Sequence, residues 1–395
     1  MSEWKKVKLQ DVCSSITDGD HLAPPKSDLG VPFITISNID SYNHIDFSNC
    51  MYVPQEYYNK LDIKRKAQKG DILYSVVGSF GKPVLINDNM PFAFQRHIAI
   101  LRPNNKIILP EYMYYVMLTY DFFMQADSVA LGAAQRTISL TSLRNMTIKL
   151  APLDEQRKIA YILSRYDSLI DNYQRQIKLL EEAAQRLYKE WFVDLHFPGY
   201  ENTKIVDGVP EGWGRDVKLS SIADIIMGQS PKSEFYNDKK IGLPFHQGVG
   251  SYGDRFVVNN TYSSQYTRIA EKNSILFSVR APVGRININK EKIAIGRGLA
   301  SIKEKNGYQS FLFYLLKHMF FRDNIIGNGA IFASITREQL YDLNVMFPPL
   351  KLVRGFNDKA KNIDARIFNI DSQLRLLTEA RDRLLPKLMS GEIEV

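Results

Sequence analysis

Between residues 153 and 192, apolar side chains recur in alternating steps of four and three: Ile159, Leu163, Tyr166, Ile170, Tyr173, Ile177, Leu180, Ala184, Leu187 and Trp191. This spacing keeps one stripe of an α-helix turned toward a partner helix. It predicts a helix from near Leu153 to about Phe192. Adding 197 to each number gives Phe356, Ala360, Ile363, Ile367, Ile370, Leu374, Leu377, Arg381, Leu384 and Leu388. Nine of these ten continue the stripe; only Arg381 departs from it. A single stripe of this kind is ordinary helix core. Two copies at one offset predict a long intramolecular coiled coil, with helix pairing through these positions.

Before the first stripe the period shortens to that of strands. Val31–Ser37, Asp71–Val77 and His97–Pro103 are short β-rich runs, punctuated by Gly, Pro and Asn. Glu111 to Gln125 has helical spacing after Pro110, which predicts one buried helix. Thr147–Leu150 has the pattern of a strand, and Pro152 opens the long helix. Past that helix, Pro198, Gly199, Gly208, Pro210 and Gly212 mark a linker that cannot continue it.

The first pattern then starts again. Trp4 and Val7–Leu9 recur as Trp213 and Val217–Leu219, and Val31–Phe33 recurs as Leu243–Phe245. KGDILYSVVGSFGK (Lys69–Lys82) answers to KNSILFSVRAPVGR (Lys272–Arg285), and AFQRHIAIL (Ala93–Leu101) to AIGRGLASI (Ala294–Ile302). Glu111–Met117 answers to Ser310–Leu316, Gly132–Ala133 and Ile138 to Gly329–Ala330 and Ile335, and Ala151–Leu153 to Pro348–Leu350. The segments between these anchors diverge. The expected organisation is a mixed domain over 1–150, a spacer helix over 151–197, a linker over 198–212, a second domain over 213–348 and a second spacer helix over 349–395. The fold class is α+β: two repeated mixed α/β domains separated by a long antiparallel two-helix coiled coil, with pseudo-twofold symmetry.

A chain of 395 residues exceeds one ordinary core, which agrees with this division. Net charge is +8. Residues 1–150 carry 16 Lys/Arg against 14 Asp/Glu, whereas residues 199–348 carry 19 against 14. Such a balance permits a nucleic-acid partner without requiring one. No apolar run is long and uncharged enough for a bilayer; Phe311–Phe321 is broken by Lys317 and His318. No charged-then-apolar leader precedes Trp4, and Cys13 and Cys50 form no CxxC, so a reducing cytoplasm is expected. The six histidines lack ligand spacing, so no metal site is expected.

Two related domains on one scaffold imply two related surfaces of different specificity. From Ile159 to Trp191 a helix spans roughly 48 Å at ~1.5 Å per residue. Two-fold readers of DNA place half-sites about 34–36 Å apart, so a rod of this order suits a reader of split sequences. At this point the chain resembles the specificity subunit of a type I DNA restriction-modification enzyme. The resemblance rests on the repeated layout, GDILYSVVGSFGK with RHIAILRP, APLDEQRKIA entering the first helix, KEWFVDLHFPG leaving it, and VPEGW opening the second copy.

The resemblance implies two target-recognition domains, each reading half of a bipartite double-stranded DNA site. It implies helices that set the gap and dock two methyltransferase (modification) subunits, with restriction/translocase subunits joining. S-adenosylmethionine, ATP and Mg would then belong to those partners, and the assembled complex would be a site-specific deoxyribonuclease and adenine methyltransferase. One departure stands out: Glu155–Lys158 is EQRK, while Leu352–Gly355 is LVRG.

Catalysis by this chain alone is not expected. Phe347-Pro348-Pro349-Leu350 lacks the amide and the following aromatic of an adenine-methylating loop. No dinucleotide fingerprint or phosphate loop is present, and Glu291 and Glu304 form no nuclease pattern. The competing readings are a self-sufficient DNA methyltransferase or endonuclease, and a coiled-coil scaffold with two protein-binding modules. DNA-binding candidates are donors in loops between the repeated anchors. In the first domain they are His21, Lys26, Ser79, Lys82, Arg96, Gln135 and Arg136; in the second, Gln229, Lys232, Gln247, Arg255, Arg280, Arg285 and Arg297. Arg96 and Arg297 occupy matching places, which suits phosphate contact or folding. Gln135–Arg136 faces Ile331–Phe332 in the second copy, which suits a difference in readout. Tyr52, Tyr57 and Tyr58 could stack on bases, although strand packing is their commoner use.

Overall fold

The computed structural model describes residues 4–40, 42–132, 135–320 and 334–395. Ala133, Gly329, Ala330, Ile331 and Phe332 lie outside them. The protein is α+β and divides into two compact units, one of residues 1–174 and 372–395, the other of residues 175–371. The dividing line falls inside each long helix.

The first unit opens with β1 (Lys5–Lys8), α1 (Leu9–Val12), β2 (Cys13–Asp18), β3 (Val31–Ile34), β4 (Met51–Val53) and α2 (Gln55–Lys60). It continues with β5 (Ile72–Ser75), β6 (Pro83–Leu85), β7 (Ala93–Phe94), β8 (Ile98–Pro103), α3 (Pro110–Met117), α4 (Tyr120–Val129), α5 (Leu140–Asn145) and β9 (Thr147–Leu150). The helix α6 (Leu153–Phe192) follows. An antiparallel sheet has the order β2-β8-β5-β6; a smaller one, β4-β3-β7, contains the parallel pair β3–β7; β1 pairs with β9.

Strand β5 explains why its sequence is apolar throughout. Ile72 and Tyr74 join one core with the helices, whereas Leu73 joins another with Ile34 and Phe94. Ala99 and Leu101 of β8 divide from Ile98 and Ile100 in the same way. Alternate side chains leave a strand on opposite faces, so a sheet covered on both sides needs apolar residues at every position.

The second unit begins in α6 and carries a hairpin, β10 (Ile205–Val206) and β11 (Val209–Pro210), inside the expected linker. Asp207 and Gly208 both have positive φ, the backbone of a two-residue hairpin turn. Next come β12 (Gly214–Lys218), α7 (Leu219–Ile222), β13 (Ala223–Met227), β14 (Tyr236–Asn237), β15 (Leu243–His246), β16 (Tyr262–Ser263) and β17 (Ile269–Ala270). They are followed by β18 (Ile275–Ser278), β19 (Ile286–Ile288), β20 (Ile293–Ile295), β21 (Leu299–Glu304), α8 (Gln309–Phe320), α9 (Arg337–Tyr341), β22 (Asn344–Phe347) and α10 (Leu350–Ser390). The sheet β13-β21-β18-β19 repeats β2-β8-β5-β6, β12–β22 repeats β1–β9, and the parallel pair β15–β20 repeats β3–β7. Alternation recurs too: Ile275 and Phe277 enter one core, Leu276 another.

All twenty stripe positions are buried or half-buried. In the first unit Ile159 and Leu163 share a core with Leu385, Leu388 and Met389. Lys158 Nζ donates to the Val395 carbonyl (2.8 Å), and Arg381 Nη1 to Asp167 Oδ1 (2.9 Å), so these two helix segments run in opposite directions. The one polar stripe position thus keeps its stem in the stripe and its head on a carboxylate. In the second unit Ala184, Tyr188, Trp191 and Phe192 pack with Val353, Phe356 and Ala360.

The single helix expected over Glu111–Gln125 is two. Thr119 Oγ1 accepts from Phe122 N and caps a new helix, α4. Its outer face is not buried either: Tyr120, Phe123 and Met124 are exposed. The run from Val31 likewise leaves the sheet after Ile34, turning into a 3-10 helix at Ile36–Asn38.

Candidate nucleic-acid interface

One loop frame is built twice. Between β5 and β6, buried Ser75 donates through Oγ to the Ser79 carbonyl (2.9 Å) and accepts from Lys82 N (2.9 Å). Between β18 and β19, buried Ser278 donates to the Pro282 carbonyl (2.6 Å) and accepts from Arg285 N (2.9 Å). Each serine thereby ties its loop shut across the strand end. The next residues are held alike. Val76 N donates to His97 O and its carbonyl accepts from Ile138 N; Val279 N donates to Gly298 O and its carbonyl accepts from Ile335 N. Behind them Gly19 and Gly228 close the frame: a Cβ would fall 2.2 Å from Phe94 O in one and 2.1 Å from Gly296 O in the other. No residue but glycine allows that approach.

In the second unit the frame surrounds a groove of about 670 Å³. Lys232, Gln247, Arg280 and Arg297 line it with Tyr236 and Ser230. These four candidates, far apart in sequence, come from the ends of different strands. No acidic residue lines it among the described residues. Ser230 Oγ accepts from Arg297 N (3.1 Å), fixing the backbone beneath that arginine. A concave surface bearing three cations and no carboxylate concentrates positive potential, as a phosphate-bearing polymer requires.

The matched positions of the first unit carry different residues. Arg96 stands where Arg297 does, and both are exposed. Val77 replaces Arg280: Val77 bridges Thr137 as Arg280 bridges Ser334. Thr35, following Ile34, replaces Gln247, which follows His246. After the buttressing glycine comes Asp20 instead of Gln229. Asp20 accepts from Tyr57 Oη (2.5 Å), from His21 N (2.8 Å) and from Arg65 Nη1 (3.3 Å). Burial works to raise this carboxyl, but the bonds from Tyr57, Leu22 N and His21 N and the Arg65 charge hold it below the usual carboxylate value.

The other candidates are scattered. His21 is half-exposed with Nε2 2.8 Å from Asp18, and Lys26, Ser79 and Gln135 are exposed. Lys82 Nζ lies 3.4 Å from the Ile39 carbonyl. Arg136 is bound to the Asp127 side chain and carbonyl and lies over the Phe80 ring, so its guanidinium is committed. Gln229 is exposed and accepts from Thr267 Oγ1; Arg285 is exposed beside a second cavity.

Arg255 is a correction. It is 4% exposed, donating to Glu181 Oε1 (3.1 Å) and Asp364 Oδ1 (2.5 Å), with Tyr314 Oη at 3.3 Å. Nothing in its loop distinguishes it in sequence from a surface arginine, but its head is spent on two helix carboxylates and cannot reach a base. Tyr57 and Tyr58 are likewise engaged, one on Asp20 and the other under Lys66.

The EQRK departure also has a structural account. Glu155 accepts from Trp4 Nε1 (3.0 Å). Gln156 is fully buried, accepting from Leu109 N and donating to the Ile107 and Ala151 carbonyls. In the second copy Val353 fills that place, fully buried. With Lys158 on the Val395 carbonyl, three of the four residues of the motif serve the fold. Sequence reasoning missed Ser230, Tyr236, Thr35 and Asp20; the glycine before each strand-end loop, Gly19 and Gly228, was the signal available.

The family described as type I restriction modification DNA specificity domain matches the chain twice, over residues 1–182 and 210–381. The putative type I restriction enzyme MjaX specificity subunit of Methanocaldococcus jannaschii is 32% identical, across 100% of this chain and 94% of that protein. The type I restriction enzyme HindI specificity subunit of Haemophilus influenzae is 23% identical across 100% of both. Among solved structures, the type I restriction-modification system S subunit from M. genitalium shares the fold, with a TM-score of 0.61 at 18% identity over 98% of this chain and 96% of that one. Among the described residues no helix is long and apolar enough to cross a membrane.

Proposed function

The chain belongs to the type I restriction-modification DNA specificity family, and from that premise we propose that it reads a split double-stranded DNA sequence, one half with each domain. Residues 1–150 form the first reader and 213–348 the second. The helices, 151–197 and 349–395, form an antiparallel coiled coil that holds the readers apart about a pseudo-twofold axis, joined by the linker 198–212. Two modification subunits dock on these helices, and restriction/translocase subunits join them. S-adenosylmethionine, ATP and Mg act in those partners; this chain is the non-catalytic reader, and the assembly methylates adenine and cleaves DNA.

The observation that carries this reading is one loop frame built twice and furnished differently at matched positions, Arg280 and Gln247 in one copy standing where Val77 and Thr35 stand in the other. A symmetric target would not need two sets of residues. Opposed helix segments, with Lys158 on Val395 and Asp167 on Arg381, support the antiparallel rod. The cytoplasm is the expected setting.

Exchanging residues 1–150 for the corresponding domain of another family member is expected to change one half of the methylated sequence. Lengthening both helices by one turn is expected to widen the gap and leave both halves intact. Methylome sequencing of a host expressing the whole operon reads both outcomes. A domain exchange that alters both halves defeats the two-reader proposal.

A further inference from the structure

We infer that Arg280 discriminates a guanine in the half-site read by the second domain, while Arg297 contacts only the phosphate backbone. This rests on the DNA-reading role proposed above for the groove. The duplicated frame supplies an internal control. A side chain present at one matched place in both frames meets what both halves of any split site share, which is sugar and phosphate. A side chain present in one frame alone stands where the halves can differ.

Arg297 is of the shared kind, because Arg96 holds the same place. Arg280 is of the other kind, because Val77 holds its place. The backbone under Arg280 is rigid. Val279 N donates to Gly298 O (2.9 Å), Ile335 N donates to Val279 O (2.9 Å), and the buried Ser278 hydroxyl ties the loop that follows. Rigid support is what a base-reading side chain needs, since misplacement of its fork by an ångström forfeits the geometry. The Arg280 side chain is exposed, lines the groove, and has no ionic or hydrogen-bond partner among the described residues. Among the described residues no carboxylate lines the groove to compete for it. The free guanidinium fork matches the paired acceptors O6 and N7 of guanine in the major groove, and no other base edge offers that pair. Lys232 lines the same groove but carries a point charge without a fork.

The test is selection from a randomised duplex library by the full chain assembled with the modification subunits of its operon. Wild type is compared with R280A, R280Q and R297A, and thermal melting confirms that each variant is folded. Wild type is expected to enrich guanine at one position of the second half. R280A loses that preference by about five- to 150-fold and leaves other positions unchanged. R280Q moves the preference toward adenine. R297A weakens all sequences alike and reduces the salt slope by about one. If R280A instead weakens every sequence alike, or acts on another base or on both halves, the inference falls and the groove remains the DNA site. If neither R280A nor R297A changes binding, the groove is not the DNA site and both readings fall.

Discussion

In the first unit Asp167 accepts from Tyr115 Oη (2.6 Å) and from Arg381 (2.9 Å); in the second Asp364 accepts from Tyr314 Oη (2.8 Å) and from Arg255 (2.5 Å). The carboxylate and the phenol are the same pair twice. The cation is not. Arg381 belongs to α10, whereas Arg255 comes from a loop of the domain itself and also reaches Glu181 on α6. The first domain is fastened to its helix segments by a phenol, the second by a phenol and a buried guanidinium spanning two helices. Duplication kept the need for a positive charge beside this aspartate and left its source free to change.

The strongest way to break this comparison is Arg255→Met. Removing the buried member of this ion network leaves Asp364 without its cation and Glu181 with Lys317 alone, and a loss of roughly 3–5 kcal/mol is expected. Arg381→Met, at a side chain 23% exposed, is expected to cost only about 1–2 kcal/mol. Denaturant unfolding with hydrogen exchange separates the units: the first variant should loosen residues near 181, 255 and 364, the second those near 115 and 167. Equal losses would mean that the two fastenings are equivalent after all.

The difference between these fastenings marks what was legible in the chain. Asp167 and Asp364 obey the same offset of 197 as the helix stripe, so the shared half of the anchor lay in plain view. The stripe itself was legible because a helix repeats its contacts at a fixed period. Arg255 was not, because a loop arginine has no periodicity and its partners are 74 and 109 residues away. The groove was half legible. Its four donors were recognisable as loop cations and amides, but only the crossing of β13, β15, β18 and β20 brings them together. The capping role of Thr119, which splits the expected helix, was hidden by apolar residues on both sides.

The loop frame, by contrast, is the conserved side of the comparison, and it can be sharpened at Gly19 and Gly228. Alanine at either places a Cβ against a carbonyl oxygen at 2.2 or 2.1 Å. Each strand end must shift, at a cost of roughly 1–3 kcal/mol. The two losses should agree, read as changes in denaturant midpoint at constant slope. A large asymmetry would show that one frame tolerates displacement and that the two frames are not held alike.

A smaller effect is expected from Val77→Arg, which gives the first frame the cation that Arg280 supplies in the second. Val77 is half-buried on the same bridge as Arg280, so the new side chain has a ready path outward. One added phosphate contact steepens the salt dependence of DNA binding by about 0.9. Binding measured from low to high salt reads the slope. An unchanged slope would mean that position 77 does not face DNA.

The smallest difference is one of acid sensitivity. His246 in β15 is 1% exposed, with Nδ1 2.7 Å from Ser251 Oγ and Nε2 2.9 Å from Asn259 Oδ1; Ile34 fills the same place in the first unit. Burial lowers the imidazole below its ordinary value, only partly offset by the Asn259 bond. The unfolded chain therefore takes up a proton near pH 6.5, and the folded chain only at lower pH. Through that interval the unfolded state binds more protons, so stability is complete above pH 6.5 and falls as the pH drops toward the folded value. The loss sets in as the pH falls through 6.5 and grows below it. Hydrogen exchange corrected for intrinsic rate should show it around residues 243–259 and not around residues 31–39. His246→Ile should flatten the profile, because an aliphatic side chain is what the first unit already uses there. A profile that keeps its slope in that variant would place the titrating group elsewhere.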